Sequence, residues 1–336
     1  MENRWNTYTT YLNNKYGHGV YRIGIDGGFS CPNREGDRSG GCSFCDGTGA
    51  SPTYYRTKEG KWKRSSIFQR NVALKGPRKV EPLDLRLDSI EKQVERGMSF
   101  IKRRYNVDYY SIYFQAWTST YASVEELKKL YDKALSLYKF TEFIISTRPD
   151  SLDDEIIELI ASYKNKVSDV WVEVGLQSSN NSTLERIKRG HTSEDYVKAV
   201  NSLHERGIKV STHIITGLPG ESREDLRATV KLINSVGSEG IKIHNLDILG
   251  GTQFFDEYML GEISVPSNDR AIEDCMFIIR RLRPDMIVQR IICESPSHRL
   301  AAPRNFFDKS KIIQLLNEQM EEYNAFQGDL YEFERI

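Results

Sequence analysis

Between residues 109 and 249 the chain alternates short β-rich runs with longer charged stretches of helical period. The runs YYSIYFQ (Tyr109–Gln115), EFIIST (Glu142–Thr147), VWVEVGLQ (Val170–Gln177), KVSTHIIT (Lys209–Thr216) and IKIHNLDIL (Ile241–Leu249) predict strands. An earlier run, VYRIGID (Val20–Asp26), predicts a first strand. The intervening Leu87–Tyr105, Glu125–Tyr138 and Arg223–Val236 carry apolar residues at helical spacing. The pairs Ser123/Glu126, Ser182/Glu185, Thr192/Asp195 and Ser222/Asp225 read as capping boxes, in which a hydroxyl and a carboxylate three residues on satisfy the orphan amides of a helix start.

Strands thirty to forty residues apart belong to βα units, not hairpins, so the pattern implies an α/β fold with a parallel sheet of six units. The sheet is either open and doubly wound or curled into part of a barrel. No Gly-x-Gly-x-x-Gly follows the first strand, which weakens a dinucleotide-binding reading. A barrel would place its chemistry at the strand C-terminal ends, where Asp26, Gln115, Arg148, Gln177, Gly217–Glu221 and Asp247 fall. After Leu249 the alternation fades into a helix (Asn268–Leu282), a strand-like run (Met286–Cys293) and a final helix (Lys309–Tyr323). The expected division is an N-terminal arm (1–19), a core (20–250) with an insertion at 54–80, and a C-terminal α/β extension (251–336).

Composition changes this picture little. Among 336 residues, 47 basic side chains balance 47 acidic ones, and 39% are apolar. The whole molecule is therefore no polycation, and any nucleic-acid surface must be local. No run approaches a membrane span, and the opening MENRWNTYTTYLNN lacks the apolar core of a signal peptide, so a cytoplasmic protein is expected. The insertion is the local exception. Arg56, Lys58, Lys61, Lys63, Arg64, Arg70, Lys75, Arg78 and Lys79 face one acid, Glu59, with Trp62 among the interleaved aromatics. Lys61, Trp62, Lys63, Arg64 and Arg70 are candidates for phosphate contact and base stacking, the alternative being a solvated loop.

The chemistry concentrates in CPNREGDRSGGCSFC, which holds Cys31, Cys42 and Cys45, three of the five cysteines. Clustered cysteines without a disulfide-permissive context point to metal or catalysis. Structural zinc would need a fourth ligand, for which His18 is the nearby candidate. Three thiolates otherwise suit an iron–sulfur cluster with one iron left open. Counting favours the cluster without deciding it.

The Cys-x10-Cys-x2-Cys loop after a first strand, followed by a βα array, resembles the radical S-adenosylmethionine (SAM) superfamily. The long first gap resembles its branch containing the Elongator catalytic subunit and the YtqA-like proteins. YFQAWTSTYA (113–122), TRPD (147–150), EVGLQSSNNSTLERIKRG (173–190), GLPGE (217–221) and HNLDILGGT (244–252) carry the likeness onward, each at a predicted strand end. The resemblance implies a partial (βα)6 TIM-like barrel, a 4Fe-4S cluster on Cys31, Cys42 and Cys45, and SAM on the open iron. It places Phe44 beside the adenine, Thr118 and Ser119 near the SAM ammonium, and Gln177 and Arg189 on its carboxylate. Thr147, Glu173, Gly217 and Gly220 are further cofactor-site candidates. Ordinary roles compete: loop packing for Phe44, a capping turn for Thr118 and Ser119, a helix-end charge for Arg189, and βα turns for the glycines.

The same resemblance implies radical chemistry on the C5 side chain of wobble uridine in tRNA, as the carboxymethylaminomethyl-to-aminomethyl step of mnm5s2U synthesis. Expected partners are tRNA, a reductase such as flavodoxin or ferredoxin, and a pathway methyltransferase, with no membrane. A downstream acetyltransferase domain is not expected. Two alternatives stand beside this: a radical SAM enzyme acting on a small molecule or a protein, and a non-catalytic zinc-bearing RNA-binding module.

Overall fold

The computed structural model describes residues 4–35, 40–47 and 78–331. Strands β1 (Tyr21–Ile25), β2 (Tyr110–Phe114), β3 (Glu142–Thr147), β4 (Asp169–Gln177), β5 (Lys209–Thr216) and β6 (Gly240–Asn245) pair in chain order, all parallel. The short β7 (Ile248–Leu249) leaves the sheet, and β8 (Ile287–Arg290) joins beside β6 as a seventh parallel strand. The predicted strand Ile241–Leu249 is therefore two elements. After Asn245 the chain turns, its side chain meeting Asp247 and the Cys293 N–H, and β7 pairs antiparallel with β9 (Leu300–Ala302).

The sheet is a curled half-barrel. Arg22 of β1 donates to Gln289 of β8 at 2.9 Å, so the two edge strands meet across the hollow. Alternation decides what lies on each face. Ile23, Ile112, Phe143, Val172, Val210, Ile241 and Val288 point outward into the main core, under the helices. The opposite positions are largely polar: Arg22, Ser111, Glu173, Ser211, His213 and Lys242. This polarity is what leaves the hollow available for chemistry.

Helices α1 (Tyr8–Tyr16), α2 (Leu83–Tyr105), α3 (Val124–Ser136), α4 (Asp154–Ser162), α5 (Asn181–Arg186), α6 (Ser193–Glu205), α7 (Arg223–Ser235), α8 (Gln253–Met259), α9 (Asn268–Arg281) and α10 (Lys309–Glu322) complete the described chain. α3 buries Leu127, Leu130, Tyr131 and Ala134, the i, i+3, i+4, i+7 stripe of an amphipathic helix. Thr192/Asp195 and Ser222/Asp225 form reciprocal capping boxes. Ser182/Glu185 does not. Asn180 caps α5 instead, its Oδ1 accepting from Ser182 and Thr183, because the chain enters that helix two residues earlier than the pattern implies.

α1 closes the N-terminal mouth of the half-barrel. Tyr8 donates to Glu142 at the start of β3, while Tyr11, Tyr16, Lys15 and Lys209 all converge on Asp169 at the start of β4. Trp171 fills the space above them, edge-on to Tyr8 and Tyr11. Among the described residues no helix is long and apolar enough to cross a membrane.

Candidate iron–sulfur and SAM site

The site begins where α2 grips the end of β1. Gln93 exchanges two hydrogen bonds with the Asp26 backbone, at 2.7 and 2.9 Å. Gly28 then turns the chain at φ +75°, with the Arg86 Nε 2.8 Å from where a Cβ would stand, so a side chain is excluded twice over. Cys31 follows and opens a short 3-10 turn, Pro32–Arg34.

The buried Arg34 holds the loop into one shape. Its Nη2 donates to the Cys45 carbonyl at 2.6 Å, and Gly41 and Gly47 pack directly against its guanidinium. Cys42 and Cys45 are joined by a 2.9 Å backbone turn. Asn33 donates to the Cys42 Sγ at 3.3 Å and to the Lys188 carbonyl at 2.6 Å. The Ser43 N–H reaches the Ile187 carbonyl, and its own carbonyl accepts from Phe254 of α8. Arg299 forms a two-pronged ion pair with Asp46. The cysteine loop is thus fastened from both the β4–α6 connection and the C-terminal segment.

Two arginines face the thiols. Arg189 Nη1 lies 3.5 Å from the Cys42 Sγ, Nη2 donates to the Gly175 carbonyl at 3.0 Å, and Nε meets His191. Arg148, 2% exposed, is held by Asp150 and by the Arg189 carbonyl, while its Nη1 is buried with no hydrogen-bond partner among the described residues. Burial alone pushes the Cys42 thiol up. The Arg189 and Arg148 charges, with hydrogen bonds from Arg189 and Asn33, outweigh it and pull the thiol below its ordinary value. Burial and two nearby cations likewise hold His191 neutral, its pKa pushed down to about 3.

An anionic iron–sulfur group fits this donor set. Three thiols come from one braced loop, and a buried guanidinium N–H beside them lacks an acceptor, a rare and costly state unless a ligand supplies one. Among the described residues no three Cys, His, Asp or Glu side chains close on a single ion. Thiolates holding separate irons of one cluster stand further apart than ligands of one ion. His18, the zinc candidate, stacks on Tyr109 with ring centroids 3.4 Å apart, at the opposite end of β1. That strand alone spans about 16 Å.

The other candidates separate by position. Gln177 and Arg189 are brought together over Gly175, whose Cβ would stand 2.8 Å and 2.6 Å from their side-chain nitrogens. Gln177 itself sits at φ +75°, where β4 bulges against β5. For a non-glycine residue this is a strained conformation, of the kind that clusters at ligand sites. Thr118 joins the cysteine loop through its N–H to the Ser30 carbonyl. Ser119 turns its hydroxyl to the Phe114 and Ala116 carbonyls, and Thr147 pairs with Thr120 at 2.5 Å, so both face packing. Phe44 packs, partly buried, against the apolar cluster that includes Leu184, Ile187, Leu218 and Phe254. Gly217 is needed for a protein contact, since a Cβ there would lie 2.2 Å from Pro266, whereas Gly220 faces open space. Glu173 lies deeper in the hollow, fully buried against Arg22, His213 and Lys242. Lys61, Trp62, Lys63, Arg64 and Arg70 fall outside the described residues. Asn33, Arg34 and His191 were not singled out from sequence. Asn33 and Arg34 directly follow Cys31, and that adjacency was the available signal.

Three thiols and paired guanidinium groups at the C-terminal mouth of a parallel half-barrel define a barrel enzyme that carries an iron–sulfur group. The chain belongs to the radical SAM superfamily, whose sequence pattern matches residues 31–233, followed by a match to the radical SAM C-terminal domain at 238–322. The family's cofactors are a 4Fe-4S cluster and SAM. The chain is 31% identical to the protein YtqA of Bacillus subtilis (strain 168), over 98% of this chain and 94% of that one. It is 27% identical to a tRNA uridine(34) acetyltransferase of Methanocaldococcus jannaschii, over 70% of this chain and 44% of that one. Among solved structures, the archaeal Methanocaldococcus infernus Elp3 with an N-terminal deletion superposes with a TM-score of 0.63 at 21% identity, covering 76% of this chain and 66% of that one.

Proposed function

We propose that this protein is a tRNA-modifying radical SAM enzyme acting on the C5 side chain of wobble uridine, converting carboxymethylaminomethyl to aminomethyl, with SAM as the oxidant and the two-carbon unit leaving as glyoxylate after water is added. The observation that carries the substrate is the likeness of the core to proteins named for uridine 34 of tRNA, on a scaffold whose thiol loop is complete. In this reading Cys31, Cys42 and Cys45 hold the cluster, Gln177 and Arg189 bind the SAM carboxylate, and Phe44 and Thr118 border the nucleoside. The cluster, when bound, would pass on the electron for reductive cleavage of SAM, and SAM would supply the carbon radical that removes a substrate hydrogen.

The chain's own residues do the remaining work. Arg34 and the Arg299–Asp46 pair keep the thiol loop rigid, and Arg148 offers a preset N–H to the anionic group. The basic insertion supports an RNA substrate by composition. Its described flanks, Gly47 beside Arg34 and Arg78 paired with Asp26, both lie next to the thiol loop. A core of residues 20–250, an arm at 1–19 and an extension at 251–336 divide the labour, in the cytoplasm, with a flavodoxin or ferredoxin as electron donor and a methyltransferase downstream. Nucleoside analysis of tRNA from a deletion strain tests this. Accumulated carboxymethylaminomethyl-uridine is expected, and an unchanged wobble-uridine profile would overturn it.

A further inference from the structure

Below the thiol loop, side chains from five strands meet in the hollow. Glu173 accepts from Arg22 Nη1 at 3.0 Å, from His213 Nε2 at 3.1 Å, and from Tyr113 and Lys242. One carboxylate therefore faces both the Arg22 guanidinium and the Lys242 amine, which are within its reach. Arg290, in register with Lys242 on the neighbouring β8, adds a third. Its charge reaches Tyr113, His213, Lys242 and His244, yet its contact is the Cys293 thiol and, among the described residues, no carboxylate pairs with it.

The carboxylates at the rim have other duties. Asp247 accepts from Asn245 at 2.6 Å and from Ser295, and Glu294 accepts from the backbone N–H of Lys309 at the start of α10. Arg290 thus keeps a charge that no carboxylate meets among the described residues, at a half-buried position where an unpaired charge is expensive. His244 supplies an independent sign. Its ring sits 5.3 Å from that of His213, and its Nε2 is buried with no hydrogen-bond partner among the described residues. Buried polar atoms are seldom left so without a ligand to meet them.

We infer that Arg290 and His244 form a receptor for a carboxylate carried by the substrate, with Lys242 and Arg22 balancing Glu173 behind them. The guanidinium fork can take both carboxylate oxygens, and an imidazole carrying its proton on Nε2 can donate to one of them. Applied to the proposed substrate, on which this identification rests, the guest is the carboxymethyl end of the uridine side chain. The same cations would discriminate against the product. An aminomethyl group has lost the carboxylate and presents an ammonium to Arg290, so the site releases what it has made. The residue that sets specificity would then come from β8, in the C-terminal segment.

The test uses reconstituted holoenzyme and two anticodon stem-loop RNAs, one bearing 5-carboxymethylaminomethyluridine and one bearing its uncharged amide. Arg290→Gln is expected to lower kcat/KM on the carboxylate RNA about 100-fold, within the range for a lost charge-assisted pair, while the poorer amide RNA is affected far less. Arg290→Lys should recover part of the loss, and His244→Asn should cost about tenfold. Equal losses on both RNAs would reveal a structural role and overturn the inference. So would a raised KM for SAM in RNA-free cleavage, because the anion would then belong to SAM. Should wild-type enzyme process neither RNA while still cleaving SAM, the proposed function falls and the receptor is read directly. A saturable shift of the His244 ring resonance by N-methylglycine, lost in Arg290→Gln, would sustain it, and the absence of any saturable shift would end it.

Discussion

The two mouths of the half-barrel are built from the same alternating strands and put to opposite uses. At the N-terminal mouth, Asp169 is met by Lys15, Lys209, Tyr11 and Tyr16, and an aromatic plug of Tyr8, Tyr11 and Trp171 seals the hollow. At the C-terminal mouth the polar groups await partners: Arg148 Nη1 has no acceptor, Gln177 is strained, and three thiols share one loop. A carboxylate met by four partners stabilises a closed end, whereas a guanidinium N–H left open beside three thiols makes an end that binds. Parallel barrels divide stability and chemistry in this way, and the division yields perturbations that should separate cleanly.

The largest effect belongs to the thiol loop. Cys42→Ala should abolish SAM cleavage and iron retention together, read as methionine formation and as iron and sulfide content. The protein's thermal midpoint without the cluster should move little, since Arg34 and Asn33 hold the loop through backbone carbonyls. Arg189→Gln comes next. Losing a charge-assisted pair should raise the KM for SAM about 10- to 100-fold, with iron content retained. An unchanged KM would restrict Arg189 to bracing Cys42 and Gly175.

At the other mouth, Asp169→Ala should cost about 2 kcal/mol of stability by urea unfolding. This is less than for a fully buried pair, because Lys15 and Lys209 can turn to water. Its carboxyl lies below the usual carboxylate range. Burial opposes this, but Lys15 and Lys209 prevail. The contribution is therefore present above the ordinary carboxylate pKa and is lost as pH falls through the lowered one, so the gap between wild type and variant should close in acid. Cleavage per folded molecule is the measurement that ties this mouth to stability alone.

The smallest effect has the opposite sign with pH. Burial pushes the Glu221 carboxyl up to about 7 from 4.5, with Ser178 offsetting only part. The folded chain keeps a proton that the unfolded chain releases, so stability falls as pH rises between those values. Glu221→Gln should be more stable than wild type by about 1–2 kcal/mol above pH 7, with the difference vanishing below 4.5. A difference independent of pH would assign the effect to packing.

Local order made the frame legible. Period-two runs marked five strands to within a residue at each end, since a strand buried against helices must keep its apolar set on one side. Thr192/Asp195 and Ser222/Asp225 announced two helix starts because a capping box is complete within four residues. The three cysteines were legible for the same reason, standing in one continuous segment. The Ile241–Leu249 run misled, because a change of direction at Asn245 depends on Cys293, 48 residues away.

By itself, then, the sequence determined the βα order and the thiol loop, both of which reside in contiguous residues with short-range physics, and its resemblance to known sequences pointed to the radical SAM class. Only the tertiary structure decided that β8 joins the sheet, that Arg34 rather than a metal ligand shapes the loop, and that Arg148, Arg189 and Cys42 share one site. It also placed Arg290 and His244 in a common hollow. Charges from different strands acquire an energy together only when curling the sheet removes the water between them, and no pattern along a chain encodes that removal.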